Sequence, residues 1–149
     1  MYRLVLPALL CCIFFECSNA QSVKWTSLFD GKTLTGWKQL AGKAKYAVEN
    51  GSIVGTTVPN TPNSFLVTEK TYGDFALELD VKVVDTTSNS GIQFRSHYDP
   101  EGNKGKGKVF GYQYELDPSS RRWTAGIYDE GRRDWLYPLS LHPSAQHAF

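Results

Sequence analysis

Apolar and polar residues alternate along short runs of this chain, and glycine, asparagine, aspartate and proline separate the runs. No window sustains the i, i+3, i+4, i+7 apolar spacing of an amphipathic helix, so the pattern predicts an all-β sandwich or barrel. The cleanest run is Asp74 to Val84, in which Phe75, Leu77, Leu79, Val81 and Val83 alternate with Ala76, Glu78, Asp80 and Lys82. A period of two assigns the first set to the core and the second to solvent. Tyr46–Val48 and Ser52–Thr56 read as a hairpin closed at Glu49-Asn50-Gly51, because Asn-Gly tolerates the positive φ that a two-residue turn demands. Phe65–Val67 reads as a short strand after a loop from Thr57 to Ser64, and Leu28-Phe29 and Trp37 flank a turn through Asp30-Gly31. The glycine- and lysine-rich stretch from Asp99 to Lys108 is expected to be a mobile loop. No internal repeat or domain linker interrupts the chain.

Three further segments carry the chemistry: Asn89 to Tyr98, Tyr112 to Asp117 and Trp123 to Tyr128. Alternation places Gln93, Arg95 and His97 on one face, opposite Ile92, Phe94 and Tyr98. Gln113, Glu115 and Asp117 likewise oppose Tyr112, Tyr114 and Leu116, while Thr124, Gly126 and Tyr128 oppose Trp123, Ala125 and Ile127. If the segments are neighbours in one sheet, an arginine, two carboxylates, a histidine and a phenol meet over a polar face, with an apolar core behind it.

The chain has 149 residues, which suits one domain, and its net charge of +1 offers no strong field for nucleic acid or an anionic membrane. Aromatic residues make up 13%, fitting both a β-sheet core and a surface on which sugar rings stack. Residues 1–20 read as an export signal: Arg3 gives a positive start, Leu4 to Phe15 is apolar, and Ser18-Asn19-Ala20 fits a cleavage site. The apolar run is too short to span a bilayer. The mature domain is then residues 21–149, secreted or periplasmic; a lipid anchor on Cys11 or Cys17 fits less well, because bulky residues precede both. All three cysteines lie in the leader, so the mature protein has no disulfide and no thiolate chemistry. Leu139 to Phe149 supplies no closing strand, so the sandwich is expected to be incomplete at its C-terminus.

Each candidate residue has a plain structural use beside its functional one. Asn89-Ser90-Gly91 is either turn chemistry or an amide aimed at a sugar hydroxyl. Arg95 is either the salt-bridge partner of Glu115 or Asp117, or an oxyanion clamp. Glu115 and Asp117, about 7 Å apart at Cα from the strand rise, suit paired-carboxylate chemistry but also resemble solvated neighbours. His97 is a proton-transfer candidate or a surface histidine. Asp99 to Asn103 offers oxygens for Ca²⁺, although a turn explains them more simply. No phosphate loop, serine elbow or zinc-binding helix is present.

Leu28-Phe-Asp-Gly-Lys-Thr-Leu-Thr-Gly-Trp37, Glu49-Asn-Gly-Ser-Ile-Val-Gly55, Asn89-Ser-Gly-Ile-Gln-Phe-Arg95, Tyr112-Gln-Tyr-Glu-Leu-Asp117 and Thr124-Ala-Gly-Ile-Tyr128 occur in this order. Together they resemble the 3-keto-disaccharide hydrolase domain family over nearly all of the mature chain. That resemblance implies a jelly-roll sandwich of two antiparallel sheets, similar to the concanavalin A-like lectins and glucanases. It also implies hydrolysis of glycosides oxidised at C3, in which the ketone acidifies the C2 proton. On this expectation Glu115 is the base, Arg95 steadies the C3 oxygen, and Tyr128 or His97 assists the leaving group. Asn89, Gln113 and Asp117 orient hydroxyls of a small carbohydrate substrate. No cofactor is required and no metal ligands are assigned, although a divalent cation would take over part of Arg95's task. The rival expectations are a non-catalytic carbohydrate-binding module on the same scaffold and an interaction domain of a larger exported enzyme.

Overall fold

A computed structural model describes residues 24–85, 87 and 89–137. The export signal and the stretch from Leu139 to Phe149 lie outside the described residues.

The described chain is all-β and every strand pair is antiparallel, as expected of a sandwich. Strand β1 (Trp37–Leu40) pairs with β4 (Phe65–Thr68), and β2 (Lys45–Glu49) pairs with β3 (Ser52–Thr56). The largest sheet runs in sequence order: β5 (Ser90–Asp99), β6 (Lys108–Leu116), β7 (Ile127–Glu130) and β8 (Asp134–Tyr137). A single irregular helical turn, Gly102–Gly105, joins β5 to β6.

Local chemistry explains the turns. Asn50 and Gly51 take φ values of 49° and 75°, the left-handed pair expected of the β2–β3 hairpin. Asp30 accepts hydrogen bonds from the backbone N–H groups of Lys32 and Thr33 at 2.8 and 2.7 Å, and Trp37 Nε1 donates to the Leu28 carbonyl at 2.9 Å. The opening motif is thus a self-bonded turn pinned by an indole.

Two expectations fail. The Asp74 to Val84 run joins no ladder among the described residues, and Phe75, Leu77, Leu79 and Val81 are each 42–51% exposed. Alternation fixes which side chains share a face; a ladder also needs a neighbour with free N–H and C=O groups, and none of the described residues supplies one here.

The second failure concerns burial. On β6 the polar-bearing face is the covered one: Val109 is 5% exposed and Glu115 1%, whereas Tyr114, on the supposed core face, is 38% exposed. Among the described residues Val109 is the only apolar side chain so fully enclosed. The polar face tolerates enclosure because its side chains bond one another, which removes the cost of leaving water.

Candidate active site

Glu115 lies at the centre of this covered face. Asn89 Nδ2 donates to its Oε1 at 2.6 Å, and Gln113 Nε2 donates to Oε2 at 2.7 Å. Behind Gln113 the donors continue in one direction: Gln93 Nε2 gives to Gln113 Oε1 at 2.8 Å, and Ser96 Oγ gives to Gln93 Oε1 at 2.7 Å. Each oxygen of the buried carboxylate therefore accepts an amide proton, and among the described residues no cation pairs with it. A charged group held by neutral donors keeps its electrostatic demand for a ligand.

Backbone geometry makes room for this relay. Gly91 sits opposite Glu115, and a Cβ there would overlap Gln113 Cγ and Cδ and lie 2.6 Å from its Nε2. The missing side chain is the slot through which Gln113 reaches Glu115.

Strand β7 adds Tyr128 opposite Gln113, and β8 adds Trp135 opposite Tyr128. The Tyr128 hydroxyl donates to Asp134 Oδ1 at 2.9 Å. Burial, that hydrogen bond and the charges of Asp134, Glu130 and Glu115 push the phenol up to about 12, so it remains a proton donor at neutral pH. Trp135 meets the edges of Tyr128 and Trp123 at 5.2 and 4.9 Å between ring centres, a wall of aromatic surface beside the carboxylate. Glu130, two residues beyond Tyr128 and on its face, accepts from Asn63 Nδ2 at 3.2 Å. Burial, with added repulsion from Glu115 and Asp134, raises the Glu130 carboxyl above its ordinary range.

Arg95 and His97 do not join this site. The register of β5 against β6 shifts between Phe94 and His97, so Arg95 and Ser96 together face Gly111. This is a β-bulge, with Arg95 at φ 49°, and the extra residue reverses the faces of everything after it. His97 and Tyr98 therefore exchange sides relative to strict alternation. His97 stacks on Phe110 on the far face at 5.6 Å, while Tyr98 comes opposite Val109. Arg95 turns outward, 61% exposed, and pairs with Asp74 at 2.7 Å. Glu115 and Asp117 are not its partners.

Asp117 is buried but lies past the end of β6. It accepts from the Ser119 N–H at 3.0 Å and pairs with Arg121 at 2.9 Å. Hydrogen bonding from Ser119, aided by the Arg121 charge, holds it below the usual carboxylate range. Those contacts tie a loop rather than face Glu115. Trp123 to Gly126 forms a turn, with Ala125 at φ 72°, instead of the expected strand. Trp123 thereby reaches Trp135 and the Tyr128 side, reversing its expected face.

The structure thus gathers Asn89, Gln113, Glu115 and Tyr128 from the expected set, and leaves Arg95, His97 and Asp117 elsewhere. It adds Gln93, Trp135 and Glu130. Glu130 was within reach of sequence reasoning, since Tyr128 and Glu130 alternate in Ile-Tyr-Asp-Glu. Trp135 depends on a strand too short to announce itself. Among the described residues no three His, Cys, Asp or Glu side chains are grouped to hold a metal ion, and no helix is long and apolar enough to cross a membrane.

A family model described as the 3-keto-alpha-glucoside-1,2-lyase-like domain matches residues 24–148. No curated protein matches the chain.

Proposed function

This chain belongs to the 3-keto-alpha-glucoside-1,2-lyase-like domain family, and on that premise we propose that it is an exported hydrolase of glycosides oxidised at C3. The supporting observation is the enclosed Glu115 carboxylate, both oxygens held by amides and neither by a cation. Such a group suits proton abstraction from carbon, because its two oxygens are held in a fixed orientation before substrate arrives.

In this reading Glu115 removes the C2 proton next to the ketone. The C–H electron pair moves into a C2–C3 double bond and charge gathers on the C3 oxygen. The second amide protons of Asn89 and Gln113 are the neutral donors assigned to that oxygen. Charge then returns, the C1–O bond breaks, and the expelled oxygen takes the Tyr128 proton. Water adds across the resulting C1–C2 double bond, so that elimination and hydration sum to hydrolysis. Asn89 is itself exposed and covers Glu115 Oε1, so substrate entry requires that this amide turn from the carboxylate to the sugar. Trp135 supplies a ring face for the C–H side of the pyranose.

Glu115→Gln is expected to lower turnover of a 3-keto-glycoside by at least about a thousandfold while the far-ultraviolet circular dichroism of the variant stays that of the parent. Undiminished reducing-sugar release from Glu115→Gln would remove this base from the mechanism. Binding of unmodified trehalose, with no release from either sugar, would favour a carbohydrate-binding module.

A further inference from the structure

A concavity lies where the loop before β4 approaches the four-stranded sheet, with Glu130, two residues from Tyr128, in its wall. Its volume is about 160 Å³, and its lining includes Asn63, Phe65, Asn103, Lys108, Val109 and Glu130. At about 30 Å³ per water that is space for roughly five waters, which suits one ring rather than a chain of sugars.

The lining is amphipathic in a specific way. Phe65 and Val109 give apolar surface, and two amides, a carboxylate and an ammonium stand around it. Amides donate and accept, Lys108 only donates, and an ionised Glu130 only accepts, so the set complements hydroxyls, which do both. Asn103 Nδ2 is already committed to the Gly107 carbonyl at 2.9 Å, which fixes that side chain in place. Asn63 Nδ2 reaches Glu130 at 3.2 Å, a long bond that a ligand hydroxyl can replace at little cost. Lys108 forms no ion pair among the described residues. Its ammonium lies 5.9 Å from the Phe110 ring centre.

Position links the concavity to the chemistry. Glu130 follows Tyr128 by two residues on one face of β7, about 7 Å along the strand, a distance comparable to the width of a sugar ring. A glycoside whose oxidised ring lies over Glu115, and whose bridging oxygen meets Tyr128, extends its other half toward Glu130.

We propose that this concavity is a leaving-group subsite, built for the second, hydroxyl-rich sugar ring of a 3-keto-disaccharide. The proposal rests on the functional reading above, and it makes the enzyme selective for disaccharides over glycosides of small alcohols.

Two measurements on the full chain test this. Asn63→Ala combined with Lys108→Met is expected to raise KM for 3-keto-trehalose about tenfold, leaving kcat/KM for the 3-keto methyl glucoside within about twofold of the parent. Equal losses on both substrates, or none on either, overturn the subsite. Independently, titration with D-glucose is expected to shift the side-chain amide resonances of Asn63 and Asn103, and to do so in Glu115→Gln as well. An absence of such shifts at saturating glucose overturns the subsite; shifts without turnover of either glycoside preserve it and remove the hydrolase reading.

Discussion

Gly91 shows how one absent side chain shapes a reaction centre. Its Cβ position is occupied by Gln113, which spans from Gln93 to Glu115. Gly91→Ala should therefore cost about 1–3 kcal/mol and displace the amide from the carboxylate. Urea denaturation checks the stability, and the variant's turnover should fall although no reacting group has changed. Sequence parity placed Gln113 and Glu115 on one face and Asn89 beside them, because faces follow from parity as long as a strand is regular. Arg95 and His97 were misplaced because a bulge obeys no parity: Gly111 has no Cβ, and one there would meet Ser96 Cα at 2.6 Å. That close approach of two backbones permits the extra residue, but many strand glycines make no bulge.

At the scale of elements, pattern and pairing prove separable. The Asn50-Gly51 hairpin forms where its turn residues say it should, since turn chemistry is local. The most regular alternation in the chain, Asp74 to Val84, makes no ladder among the described residues, since pairing depends on distant partners. Its apolar side chains are half exposed, and truncating one should be cheap. Leu79→Ala is expected to cost less than about 1 kcal/mol and Val109→Ala about 2 kcal/mol, compared by urea midpoints at a common m-value. The order is informative because Leu79 is the larger side chain, so burial rather than size decides it.

Across the whole molecule, hydrogen-bonded and ion-paired carboxylates set the response to acid. Asp30, bonded by Thr33 and Lys32, is lowered to about 2. Bonds from Ser119 lower Asp117, and Arg133 and Arg132 more than offset burial to lower Asp129. A depressed carboxyl stabilises the fold above its unfolded value, and that contribution is lost as pH falls through the folded one. Stability should therefore drop between about pH 4 and pH 2. Glu130 has the opposite sign: its raised carboxyl favours the fold when protonated, and that contribution is lost as pH rises through its folded value. Thermal melting from pH 7 downward should show a slight gain before the acid loss, and Glu130→Gln should abolish the gain while keeping the loss. An unchanged profile in that variant would mean that Glu130 is not enclosed. The sequence forecast the all-β class and the polar face, but not that this face is the enclosed one. Enclosure followed from a closed set of side-chain bonds, which no count of apolar positions measures.

The row of donors from Ser96 to Glu115 has a polarity, like a line of arrows. An amide put in place of the carboxylate would confront two incoming N–H groups with only one oxygen, so one neighbour must rotate by half a turn. Gln113 cannot do so unless Gln93 and Ser96 reverse with it. Asn89, at the exposed end and with no bond behind it in the row among the described residues, can present its carbonyl at once. The asymmetry makes Asn89 the hinge through which any change of charge at the centre is accommodated.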